Sequence, residues 1–319
     1  MVAGNDHPRS SGKKVGCKTG NPEIPGESLR SRPRPPARWI TPTVALFVML
    51  EPDGFRRGLK DFTRLRGLKL RRRRDSPTAG VRGGAAMTSR PKALLSWSSG
   101  KDCAWALHVL RSRGDVGVVG LLTTFNEAAD RAAMHAVRRR LVEVQAETAG
   151  LPLCSVMLPY PCSNEVYEAR MAAASAEAVR AGVTHIAFGD LYLEDVRDYR
   201  IRQMAGSGLE PLFPIWGTPD DTPALARRML DAGVGAILTC VDPKRLDPKF
   251  VGRRFDEALL AELPAAVDPC GERGEFHTFC HRSPEFRRDI PIEVGEVVHR
   301  DGFRFADLDS PVREGAEGA

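Results

Sequence analysis

Ala93-Leu94-Leu95-Ser96-Trp97-Ser98-Ser99-Gly100-Lys101-Asp102-Cys103 reads as a short apolar strand, a tight loop of small residues and the first turn of a helix. Ala104, Trp105, Leu107, His108 and Leu110 continue the helix as an apolar stripe at helical spacing. A loop in this position is an anion cradle. The first N–H groups of a helix lack partners within it, and the helix dipole adds partial positive charge there. Ser98, Ser99 and Gly100 are small enough to let a phosphate reach the backbone. Lys101 adds a point charge, and Asp102 can hold a divalent cation or cap the helix. The spacing is neither G-x-x-x-x-G-K-[ST] nor G-x-G-x-x-G. An ordinary strand-to-helix turn capped by Asp102 has the same letters, so the reading depends on what surrounds the loop.

Outward from the loop, strands and helices alternate. Residues 116–124 are continuously apolar, as in a strand buried on both faces of a parallel sheet. A long helix is expected over 131–149, with Met134, Val137, Leu141 and Val144 inside and Arg138, Arg139 and Arg140 outside. Strands follow at 151–158, 184–188, 211–215 and 235–241, with helices at 163–181 and from Asp221-Thr222 to Ala232. This order gives an α/β fold with a doubly wound, mostly parallel, Rossmann-like sheet. Ligands of such sheets sit beyond the carboxyl ends of the strands, near the switch point. Polar residues gather there: Ser98 to Asp102, then Thr123, Thr124 and Asn126, then Gly189 and Asp190. His135 reads as a capping or solvated histidine. The charged run 194–202 is a solvated helix face that can also offer a carboxylate to a metal and an arginine to an anion.

Charge separates the chain into two parts. Residues 1–86 hold 19 Lys+Arg against 7 Asp+Glu, and residues 87–319 hold 28 against 34. The basic excess lies wholly in a leader rich in Pro, Arg, Gly and Ser, a composition that cannot bury enough apolar surface to fold. Met87 directly precedes the folded pattern and reads as the natural start. The mildly acidic remainder does not offer a broad nucleic-acid face. Seven cysteines without a C-x-x-C pair point to a reducing, cytoplasmic setting. The longest apolar run, 44–50, falls far short of the roughly 20 residues of a membrane span, so no membrane partner is expected.

Toward the C-terminus, one helix is expected over 252–263. Then comes Asp268-Pro269-Cys270-Gly271-Glu272-Arg273-Gly274-Glu275-Phe276-His277-Thr278-Phe279. Two glycines spaced by three, each followed by glutamate, suggest a tight loop with Glu272 and Glu275 on one side. Paired carboxylates suit magnesium binding or activation of an amine. Cys270, His277, Cys280 and His281 invite a zinc reading, but their spacing matches no standard finger. Phe276 and Phe279 alternate with polar residues as in a half-buried strand. Residues 291–307 read as a hairpin turning at Arg300-Asp301-Gly302.

The loop resembles S-G-G-x-D-S, the pyrophosphate loop of N-type ATP pyrophosphatases, with Ser99 at the second-position glycine and Cys103 in place of the last serine. Together with Met134-His135, Phe188-Gly189-Asp190, Pro211-Leu212-Phe213-Pro214-Ile215-Trp216-Gly217 and 270–279, it resembles the diphthine–ammonia ligase (diphthamide synthase) type of PP-loop protein, over about 92–290. The resemblance implies ATP-dependent amide formation. ATP would adenylylate an acceptor carboxylate, pyrophosphate would leave, and ammonia would displace AMP. It implies ATP contacts from Ser98, Ser99, Gly100, Lys101, Asp102, Cys103, Thr123, Thr124 and Gly189. Asp102 and Asp190 would hold Mg2+, and Glu272 and Glu275 would serve the acceptor side. The domain plan is a leader at 1–86, an ATP-binding domain at 87–241 and a smaller α+β substrate-side domain at 242–319.

Two other readings of the loop remain. A tRNA-modifying PP-loop enzyme would carry a paired cysteine motif or an RNA-binding domain, and neither is visible. An ATP-binding sensor module would have no need of Glu272 and Glu275.

Overall fold

The computed structural model describes residues 90–132 and 136–311. The leader, Met87, Met134 and His135 lie outside the described residues. The first sheet has a parallel backbone of strands in the order β4-β2-β1-β5-β6. These are β1 (Lys92–Ser96), β2 (Gly117–Asn126), β4 (Leu153–Leu158), β5 (His185–Ala187) and β6 (Glu210–Leu212). Short β3 (Arg131–Ala132) runs antiparallel to the end of β2. The helices α1 (Lys101–Arg113), α2 (Arg139–Ala149), α3 (Asn164–Arg180) and α4 (Glu194–Met204) connect them. Strand order reverses at β1, whose neighbours are β2 and β5. The loop after β1 therefore opens at the switch point, where such sheets bind ligands.

Local chemistry explains the element boundaries. Leu94 and Leu95 of β1 point to opposite faces and both are buried, each contributing about 1.5–3 kcal/mol. The helix expected over 163–181 is present, and the Ser163 hydroxyl accepts from the Val166 N–H to start α3. The helix expected over 131–149 begins only at Arg139. Arg131 and Ala132 are taken instead by β2, and Ala136 has φ +53°, which no helix continues through.

A second, antiparallel sheet follows. It contains β7 (Gly235–Val241), β8 (Arg254–Phe255), β9 (Phe276–Arg282), β10 (Glu293–Arg300) and β11 (Phe303–Asp309). β7 was expected beside the parallel strands. It is instead the centre of this sheet, with β9 along one edge and β8 and β11 sharing the other. All seven of its residues are buried, since both edges and both faces are covered. It is reached through α5 (Thr222–Asp231). The single helix expected over 252–263 divides into β8 and α6 (Glu257–Glu262), because Phe255 pairs with Ala236 and Asp256 then caps the helix through the Leu259 N–H. The hairpin β10–β11 turns at Asp301-Gly302 as expected. Among the described residues no helix is long and apolar enough to cross a membrane.

Arginines of the first sheet tie the hairpin down. Arg131 and Arg138 both bond the Asp307 carboxylate, Arg140 pairs with Asp309, and the Arg138 Nε–H donates to the Leu308 carbonyl. Burial works to raise the Asp307 pKa, but the hydrogen bonds from Arg138 and Arg131 outweigh it and the net direction is down.

Candidate active site at the carboxyl end of the first strand

Trp97 ends β1 with its N–H on the Leu122 carbonyl, and the chain then turns sharply. Ser99 has φ +72°, a left-handed value that costs a serine backbone strain and a glycine little. Two donors and one acceptor hold the turn from outside it. The Cys280 N–H donates to the Ser99 carbonyl at 2.8 Å, and the Gln145 amide donates to the same oxygen at 3.0 Å. The Thr278 hydroxyl accepts from the Lys101 N–H at 3.1 Å. Gln145 is fully buried, and it also accepts from the Trp97 indole at 2.8 Å and donates to the Cys280 carbonyl at 2.6 Å. One amide thus joins the end of β1, the loop and β9. Gln145 carried no motif that sequence reasoning could single out; Thr278 stood in the quoted 268–279 stretch and Cys280 in the zinc reading, neither with this role.

The loop's side chains divide by direction. Ser98 is exposed at the mouth, with its hydroxyl 3.5 Å from the Cys103 sulfur. Burial pushes the Cys103 thiol up to about 11, and the neutral S–H donates to the Gly100 carbonyl at 3.0 Å. Ser99 is buried, and its hydroxyl has no hydrogen-bond partner among the described residues. Lys101 is also buried, and its ammonium faces protein. It donates to both Asp102 oxygens at 2.9 Å and to the Cys270 carbonyl at 2.5 Å, between the rings of Phe255 and Phe276. Burial would lower its pKa, but the Asp102 carboxylate holds it above the ordinary lysine value, so the ammonium stays charged.

The segment after β5 closes over the start of α1. A Cβ at Gly189 would lie 3.0 Å from the Cys103 nitrogen and 3.1 Å from the Asp102 carbonyl carbon, so only glycine fits without movement. Asp190 pairs with Arg200 of α4 at 3.4 Å, so Arg200 is the member of the charged run that meets this segment. The Leu191 N–H donates to Glu272 Oε1 at 2.8 Å. Glu272 thereby reaches from the loop before β9 to the mouth of the first sheet. Burial and the neighbouring Asp102 and Asp190 raise its pKa to about 8, against the pull of the Leu191 N–H and Lys101.

Glu275 is directed elsewhere. It is buried, accepts from the Asp268 N–H at 3.0 Å and pairs with Arg273 at 3.2 Å, so the two glutamates do not share partners as the sequence suggested. The reason is local. Gly271, at φ +72°, packs so tightly against the Phe276 carbonyl that a Cβ would lie 2.8 Å from it, and the loop folds back between its two carboxylates. Asp268 accepts from the Tyr192 hydroxyl and from the Cys270 N–H, anchoring the loop; Tyr192 did not stand out in the sequence. Thr123 is buried and donates to the Trp97 carbonyl at 2.8 Å, while Thr124 is partly exposed. Of the zinc reading, the Cys270 thiol bonds the Thr222 carbonyl and the Cys280 thiol the Arg282 carbonyl. Among the described residues no three His, Cys, Asp or Glu side chains gather as a metal cage.

Magnesium usually takes only one or two carboxylates, the remainder being phosphate and water. Asp102 and Asp190 are of that kind, with side chains 25% and 18% exposed at the mouth. Asp102 already holds the Lys101 ammonium and Asp190 the Arg200 guanidinium. The donor set therefore fits an ion brought in with phosphates.

Comparison with known proteins agrees with this arrangement. Residues 91–209 match the diphthamide synthase N-terminal domain and residues 221–309 the diphthamide synthase C-terminal domain. Over 120 residues the chain is 32% identical to the diphthine–ammonia ligase of Homo sapiens, a match covering 36% of this chain and 44% of that protein. The Bos taurus protein of the same name gives the same figures, and that of Danio rerio is 35% identical over 116 residues, 34% of this chain and 45% of its own. The matched stretch thus spans less than half the length of these curated relatives. Both domains are met in order and together account for more than half of the residues, and on that ground the chain belongs to the diphthamide synthase family.

Proposed function

We propose that this chain is an ATP-dependent ligase that converts an acceptor carboxylate to an amide with ammonia, releasing AMP and pyrophosphate. The observation that carries the reading is the hydrogen bond from the Leu191 N–H to Glu272, which brings a carboxylate from the loop before β9 to the segment after β5, within the field of Asp102 and Asp190. A nucleotide-binding half and an acceptor half need such a meeting point.

In this reading the N–H groups at the start of α1 and the Ser98 hydroxyl bind the phosphates of ATP. Asp102 and Asp190 would hold Mg2+, which supplies neutralisation of the charge developing on the phosphates. Lys101 acts as a positioning residue. It fixes Asp102 from behind rather than touching phosphate, because its ammonium is engaged with protein groups. An oxygen of the acceptor carboxylate attacks the α-phosphorus and pyrophosphate leaves. Ammonium gives one proton to the Glu272 carboxylate, and the resulting ammonia attacks the acyl carbon. The bond from the acyl carbon to the AMP phosphate oxygen breaks, AMP leaves with its electron pair, and the nitrogen gives its surplus proton to solvent as the amide forms. With its carboxyl held near 8, Glu272 is a stronger base than an ordinary carboxylate, and its base form accumulates as pH rises through that value. Glu275 and Thr123 shape the site from behind.

The names of the relatives support diphthine as the acceptor class, and the absence of a C-x-x-C pair agrees with a cytoplasmic protein. The test is ATP turnover with magnesium, ammonium and cell extract, reading AMP, ADP and pyrophosphate separately. Extract-dependent AMP and pyrophosphate are expected, with loss in Asp102→Ala and an unchanged circular dichroism spectrum. ADP release, or turnover retained in Asp102→Ala, overturns the reading. ATP bound but not cleaved points to a sensor.

A further inference from the structure

An edge strand shows a row of unpaired N–H and C=O groups, which makes it a template for a strand of another chain. Two edges of this fold are blunted. β6 is three residues long and carries Pro211. β9 spends its outer side on the first sheet, where the Cys280 N–H donates to the Ser99 carbonyl. β10 is different. It ends the second sheet, pairs with β11 alone among the described strands and runs for eight residues, all of them exposed.

The strand lacks the usual protection of an edge. It has no lysine and no proline, and its Val294, Val297 and Val298 are 45%, 51% and 43% exposed. An extra residue between Val294 and Val297 bends the first half, while 297–300 keep unbroken register with β11. Val297 and Val298 are consecutive in that regular half, so they lie on opposite faces of the sheet. No single core could cover both. A strand laid alongside β10 would flank both faces at once.

The charges say which strand that is. Glu293 and Glu296 stand in the first half, and His299 and Arg300 at the end. None of Glu293, Glu296 and His299 forms an ion pair among the described residues, and Arg300 has an exposed one with Asp301 at 3.7 Å, which costs little to give up. Laid antiparallel on a copy of itself, the strand sets each acidic half beside the other's basic half. Laid parallel, it sets like charge against like. β10 is therefore self-complementary in one direction, and that is the direction a two-fold axis imposes.

We propose that β10 is the interface of a two-fold dimer, pairing antiparallel with β10 of a second copy so that two five-stranded sheets become continuous. The proposal does not depend on the ligase reading. Partly covered valines and exposed charge pairs are small contributions, so the dimer dissociates in roughly the micromolar range.

Sedimentation velocity of the full chain over roughly 1–100 μM is expected to show the mass rise from one chain to two. Val297→Lys with Val298→Lys puts a cation on each face of the edge. Both positions are exposed, so the circular dichroism spectrum should not change, and dimerisation is expected to weaken about tenfold or more. Charge gives the second test. Glu293→Lys with Glu296→Lys makes the strand wholly basic, and His299→Glu with Arg300→Glu makes it wholly acidic. Each variant alone is expected to dimerise more weakly than the native chain, and an equimolar mixture of the two to recover native association. A single chain at every concentration overturns the proposal, whether the edge stays open or another part of the chain covers it. So does a dimer that the valine variant leaves unchanged, which would lie on another face. A mixture no tighter than either charge variant alone also overturns it, because the antiparallel match would then be absent.

Discussion

The Lys101 ammonium lies 2.5 Å from the Cys270 carbonyl oxygen, joining the first turn of α1 to the loop before β9. Removing the ammonium leaves that carbonyl unpaired and the Asp102 carboxylate uncompensated. Lys101→Met keeps the volume between Phe255 and Phe276 and deletes only the charge. It is expected to cost about 2–3 kcal/mol in urea unfolding, below the full value for a buried pair because Asp102 is partly solvated. An unchanged unfolding midpoint would show that the contact is not held in solution.

Ser99 gives a prediction of opposite sign. Its positive φ and its unpartnered buried hydroxyl both disfavour the folded state. Ser99→Gly removes both and is expected to stabilise the fold by about 1 kcal/mol. Ser99→Ala removes only the hydroxyl and gains less. Thermal melts of the two variants separate strain from desolvation, and a lower melting point for the glycine variant refutes the account.

Gly189→Ala places a methyl group 3.0 Å from backbone atoms that cannot swing aside. The expected cost is about 1–3 kcal/mol, with a shift of the helix start that weakens ATP binding at least severalfold. Isothermal titration with ATP checks the second part. Wild-type affinity in a folded variant would mean the nucleotide does not use this end of α1.

Glu272 predicts a pH dependence. Its carboxyl is held near 8, so the base form accumulates only above that pH. kcat/KM should rise through about 8 and then level, because this parameter reports the free enzyme. Glu272→Gln should be slow and flat over the same range. A raised folded-state pKa also makes ionisation oppose folding. The stability advantage of Glu272→Gln over the native chain should therefore grow as pH rises from the ordinary carboxylate range through about 8.

Asp307 behaves the other way. Its folded-state pKa is lowered, so its pairing stabilises the fold above the ordinary carboxylate value and is lost as pH falls through the folded value. Asp307→Asn is expected to cost about 1 kcal/mol at neutral pH and nothing in strong acid. Chemical unfolding at the two pH values measures the difference, and a pH-independent cost would assign the effect to packing.

Much of the first sheet was legible because its signals are local. Continuous apolar runs and the small residues of the loop each act within a few positions. The fate of β7 was not legible, because Gly-Ala-Ile-Leu-Thr-Cys-Val is as suitable at the centre of a parallel sheet as of an antiparallel one. Its long register with β9, a strand some forty residues on, decides the matter. The direction of Lys101 was hidden for the same reason: the carbonyl that captures it comes 169 residues later. The expected partnership of Glu272 and Glu275 failed because the backbone of Gly271 turns against Phe276, a contact that spacing alone does not express.

The grip of β9 on the phosphate loop also fixes when the loop can work. The Lys101 N–H finds its acceptor 177 residues downstream, and the Ser99 carbonyl is held by Cys280. During synthesis the loop emerges early, and on the proposed reading it should take its binding shape only once Thr278 and Cys280 are available to hold it. A nascent chain stalled before β9 should have a parallel sheet and no place for a nucleotide. ATP could then reward only completed molecules, and nucleotide capture would report on the end of folding rather than guide its beginning.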